Sequence, residues 1–136
     1  RDDVELKGCI NLSPAWFQQG RNGQGRNHLP EVLASLKKSN GDSGGRVWVG
    51  AMVILNTLLS VMLAVMHPDL YAAGREAMIK LGDHAERVDA EMGEMLERWS
   101  SVYGVISVMV NRESPLHRDY NGKNEWMDLS ASVGQY

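Results

Sequence analysis

Residues 47–66 form a run of twenty without a charged side chain. That run constrains the fold more than any other feature. Twenty such residues are about the length that crosses a bilayer as a helix, so the run must be covered by lipid or by protein. Gly50, Asn56, Thr57 and Ser60 interrupt its apolar character. His67, Pro68 and Asp69 follow it as a helix stop and a new N-cap. The pattern predicts a buried core helix over residues 51–66, not a membrane span, and no membrane partner. Val47, Trp48 and Val49, just ahead, read as the end of a loop or a short strand.

A chain of 136 residues allows one compact domain with a modest core. Net charge is −3, which leaves no electrostatic footprint for nucleic acid on this piece. Eight Met residues suit irregular core gaps. Cys9 is the single cysteine, so no internal disulfide can form. That favours an intracellular compartment, nucleus or cytoplasm. The chain begins at Arg1 without a visible secretory signal and reads as a processed chain or an internal fragment.

Three regions follow from the pattern. Residues 1–45 read as a polar, Gly-rich arm with one apolar island at Trp16 and Phe17 and a short helix over 30–38. Within it, residues 40–45 (NGDSGG) read as a break. Residues 46–100 read as a helical support: the helix over 51–66, another over 69–81 ended by Gly82 and Asp83, and a third over about 85–99 weakened by Gly93. Residues 101–136 change period. The β-branched run VISVMV predicts a buried strand over 104–111. Asn121-Gly122 signals a turn, and 126–133 alternates as a second strand. Helices first and strands last is an α+β arrangement.

Two short matches fail on context. Residues 41–45 (GDSGG) fit the nucleophile loop of trypsin-like proteases. That chemistry needs a histidine and an aspartate from a large preceding barrel. Only 40 residues precede Gly41, and their one histidine is His28. Residues 117–124 (HRDYNGKN) fit a kinase catalytic loop, but no Gly-rich phosphate loop precedes them and no Asp-Phe-Gly follows.

The same residues allow a different chemistry. His117 and Asp119 stand two apart just after the predicted strand. In an extended stretch such residues point the same way, so an imidazole and a carboxylate could hold one metal. A second histidine from a distant strand would complete a facial triad that leaves positions open on Fe(II). On spacing alone, a His-x-Asp is more often a solvated turn.

The surroundings carry more. Residues 111–119 (NRESPLHRD), then Asn121-Gly122, Glu125 to Leu129 (EWMDL) and Val133 to Tyr136 (VGQY), together resemble the TET/JBP type of 2-oxoglutarate/Fe(II) dioxygenase domain, above all its fungal members. The resemblance is specific over 99–136 and loose over 51–81. It implies a helical N-terminal part packed on the first strands of a double-stranded β-helix, or jelly roll. That core would be incomplete in this chain. His117 and Asp119 would be iron ligands. Asn111, Arg112, Tyr120 and Trp126 would lie around the site as substrate-orienting or ligand-supporting residues, with plain loop or core packing as the alternative for each. Fe(II) and 2-oxoglutarate would be the cofactor and co-substrate. The substrate would be a methylated base in DNA or RNA, flipped into a pocket.

The family also uses a late histidine and a basic residue for the far carboxylate of 2-oxoglutarate. The 17 residues after Asp119 contain no histidine and one basic residue, Lys123. His28, His67 and His84 come too early in the chain order. No catalytic residue is therefore assigned, and this stretch alone is not expected to turn over substrate. A further chain or segment is expected to complete it. Two other readings stay open. One is a dioxygenase acting on a protein or small molecule. The other is a barrel-derived binding or structural chain without catalysis.

Overall fold

The computed structural model describes residues 7–17, 29–38, 44–111, 126 and 128–132. Strand β1 (Gly8–Leu12) is followed by a 3-10 turn at Ala34–Leu36. Four helices come next: α1 (Gly44–Ala51), α2 (Val53–Met66), α3 (Pro68–Val88) and α4 (Ala90–Arg98). Strand β2 (Ile106–Val110) closes the series and pairs antiparallel with β1, Leu12 opposite Ile106 and Gly8 opposite Val110. This is an α+β arrangement with a two-stranded sheet.

The helix ends are written locally. His67 Nδ1 accepts from the Leu70 amide at 3.3 Å, Pro68 occupies the first turn, and Asp69 complements the positive end of the α3 dipole. Asp89 both ends α3 and caps α4, its Oδ1 accepting from the Met92 amide at 3.0 Å. Alpha-3 therefore runs through Gly82 and Asp83, where a stop was expected. A mid-helix glycine costs only about 1 kcal/mol, and burial of Ala85 three residues on favours continuing.

Leu12, Val32, Leu36, Val49, Met92, Met95 and Trp99 form the core, with Ile106 and Val108 of β2 packed on its edge. Both Met92 and Met95 are fully buried. Three further expectations are corrected here. The arm contains a strand, because Cys9, Ile10 and Leu12 find a partner in β2. Residues 30–38 are not an α-helix: Glu31 and Trp16 exchange backbone hydrogen bonds at 2.7 and 3.1 Å, and the Leu33 amide bonds Ser13 O, which hold the segment extended up to the 3-10 turn. Val47, Trp48 and Val49 are helical, because α1 turns Val49 inward and Val47 outward.

Helix α2 also departs from expectation. Its buried residues are Asn56, Ser60 and Leu63, a mostly polar stripe. Ser60 Oγ donates to Asn56 O and accepts from the Val102 amide. Ile54, Leu58, Val61 and Val65 face outward, 84, 53, 52 and 79% exposed. So α2 is not a buried core helix among the described residues. Among the described residues, no single helix is long and apolar enough to cross a membrane. Helices α1 and α2 together reach that length and composition, but they meet at a 59° bend around Met52.

Arg46 ties the helices to the N-terminal part. Its side chain is 12% exposed. Nε donates to Leu36 O at 2.6 Å, Nη2 to Glu91 at 3.0 Å and Nη1 to Glu94 at 3.2 Å. Beside it, α1 crosses so close to the 3-10 turn that a Cβ on Gly45 would collide with Ser35 O. Gly45→Ala should therefore lower stability by about 1–3 kcal/mol in urea unfolding, as overpacking does. The exposed, uncrowded Gly50→Ala should raise it by up to ~1 kcal/mol through helix propensity. Equal effects of both would remove the close approach.

A hydrogen bond from Lys38, helped by the charges of Lys38, Arg46 and Arg98, holds the Glu94 carboxyl below its ordinary 4.5. A lowered carboxyl pKa contributes stability above that ordinary value and loses it as pH falls through the lowered one. Thermal melts from neutral pH to strong acid should show wild type weakening below pH 4.5, and Glu94→Gln should flatten that limb. A limb of unchanged slope would mean the ion cluster does not form.

Candidate functional site

The segment singled out by the sequence begins where β2 ends. Its lead-in, residues 99–105, is fixed by side chains bonded to backbone. Trp99 Nε1 donates to Tyr103 O at 2.8 Å, and Ser101 Oγ accepts from the Tyr103 amide at 3.1 Å. Ser13 Oγ reaches across from the end of β1 and donates to Gly104 O at 2.7 Å. On the far side, α3 presses in at Gly74, whose absent side chain leaves room for Val102 O. Thus β1, α2, α3 and α4 all set where β2 starts. The specific part of the sequence resemblance spans Trp99 and Tyr103. It gave no sign of Ser13, whose partner is 91 residues away.

On the sheet, residues opposite each other share a face. Leu12, Ile106 and Val108 face the core. Asn11 and Ser107 pair on the other face, Ser107 Oγ donating to Asn11 Oδ1 at 2.8 Å, with Cys9 and Met109 exposed beside them. The strand was expected to be buried over 104–111. It is a half-exposed strand over Ile106–Val110, because the described sheet has only two strands and one covered face.

At its end Asn111 takes φ of 45°, the left-handed conformation that asparagine tolerates better than most residues. The chain turns there into the segment that carries the expected ligands. His117 and Asp119 lie outside the described residues, as do Arg112 and Tyr120. Trp126 is described and exposed. Residues 128–132 take no strand conformation, contrary to expectation, since no neighbouring strand pairs with them among the described residues. Residues 41–43 also fall outside the described set, while Gly44 and Gly45 open α1.

Tyr103 links the two ends of this region. Burial pushes its phenol above the ordinary 10.0, and the nearby Asp128 carboxylate adds to the effect. Among the described residues, no group of three or more His, Cys, Asp or Glu side chains is arranged to hold a metal. His67 is occupied as the α3 cap. His84 lies within α3.

No family model matches the chain, and no curated protein matches it.

Asp128→Asn should bring the Tyr103 phenol back toward 10.0, read as phenolate absorbance during alkaline titration. A titration that stays put would mean Asp128 does not approach Tyr103.

Proposed function

We propose that this chain is part of a 2-oxoglutarate/Fe(II)-dependent dioxygenase that oxidises a methylated base in DNA or RNA. His117 and Asp119 would be two of its iron ligands. The observation that carries the reading is the order of parts. A bonded lead-in, a strand and a left-handed turn at Asn111 run straight into the NRESPLHRD sequence. Such an order supports a metal loop held at the end of a rigid strand. The donor set suits the ion, since imidazole and carboxylate are the ligand types of facial Fe(II) sites.

The bound metal and 2-oxoglutarate would supply oxidation of a C–H bond with oxygen. The chain's own part is narrower. His117 and Asp119 would hold the ion, and Arg112 and Asn111, a few residues away in sequence, would orient substrate or support Asp119. Tyr120 and Trp126 would pack beside the loop. The double-stranded β-helix belongs to this proposal, with β2 among its first strands. A location in the nucleus or cytoplasm belongs to it too.

A second reading is favoured by α2. Its outward apolar stripe suits a chain whose main task is to pack against another surface, as a binding or structural chain without catalysis. Metal binding separates the two. His117→Ala and Asp119→Ala should each weaken Fe(II) binding roughly 10–100-fold or more, with Co(II) absorption as a spectroscopic proxy. If both variants bind as wild type does, the ligand assignment is wrong and the second reading takes its place. Nucleic-acid binding that is absent or insensitive to salt would remove the nucleobase substrate while leaving the metal assignment standing.

A further inference from the structure

We infer that the outward face of α2 pairs with the same face of a second copy of this chain. The inference is independent of the dioxygenase reading. Helix α2 turns Asn56 and Ser60 inward and Ile54, Leu58, Val61 and Val65 outward. These four recur at steps of four, three and four residues, so they form one continuous apolar seam. Val53, Met62 and Met66 widen it, and no charged side chain lies on α2. A seam of this kind in water is a surface awaiting cover.

Symmetry selects the occupant. When two copies of α2 lie antiparallel across a two-fold axis at the helix midpoint, Ile54 meets the partner's Val65 and Leu58 meets the partner's Val61. Both of these pairs are apolar, and in the seam a larger residue meets a smaller one. A self-complementary patch is what an isologous dimer requires. At ~60–120 Å² for each aliphatic side chain taken from water, the face offers on the order of 500 Å² per copy. The pair then reaches about 1,000 Å², the size at which specific interfaces begin. The association should accordingly be of micromolar strength.

Sedimentation velocity over a range on the order of 1–200 μM tests it. Wild type should move from monomer to dimer. Ile54→Lys and Val65→Glu should each weaken association at least tenfold. Both sites are exposed, so far-UV circular dichroism should not change. An equal mixture of the two variants should restore dimers, because the introduced lysine of one copy then faces the introduced glutamate of the other. A wild type that stays monomeric overturns the inference, including one that instead floats with phosphatidylcholine vesicles. So does a dimer that neither variant weakens, or a mixture that associates no better than either variant alone.

Discussion

The described structure depends on how Arg46 is held. A guanidinium that is mostly out of water must be paired and hydrogen-bonded to be tolerated. Here the Leu36 carbonyl, Glu91 and Glu94 supply those partners, from the 3-10 turn and from α4. Lys38 and Arg98 bring further positive charge to Glu94. The cluster therefore fixes the angle at which α1 meets the N-terminal segment and α4. Partial exposure of the two glutamates moderates its strength. Its larger effect is geometric. The same two helices, α1 and α4, also send Val49, Met92 and Met95 into the core.

From that anchor the logic runs toward β2. Alpha-4 ends at Arg98, and Trp99 folds into the core while its indole N–H bonds Tyr103 O. Ser13, Ser60 and Ser101 bond the peptide groups of the lead-in, so a segment without regular structure keeps few loose polar atoms. The strand that leads to the candidate metal loop is thus set by contacts reaching back to the first described residues. Asn56 Nδ2 and Ser100 Oγ, both buried, have no hydrogen-bond partner among the described residues. The Asn56 share of that cost falls on the same polar stripe that turns the apolar side of α2 outward.

Much of the helical part was legible in the sequence. Pro68 and Asp69 after His67 marked the start of α3, and the β-branched run at 106–110 marked β2, because capping chemistry and branched side chains act locally. The signal at Asp89 was equally local, but Gly82 and Asp83 masked it as a nearer stop. The candidate ligands His117 and Asp119 came from a pattern of residue types, which identifies possible donors without arranging them in space.

The sequence by itself determined the uncharged run, the helix caps, the β2 strand and the presence of a His-x-Asp pair after it. Each depends on residues within a few positions of one another. Tertiary structure decided the rest. Beta-1 is a strand because β2 is there to pair with it, and residues 30–38 are extended because Trp16 and Ser13 take their backbone bonds. The inward face of α2 was decided the same way. Hydropathy alone would bury Ile54 and Val65, but Ser60 answers a peptide N–H of a loop 42 residues on. A periodic pattern tells which residues share a face, and only the neighbours in space tell which face is covered.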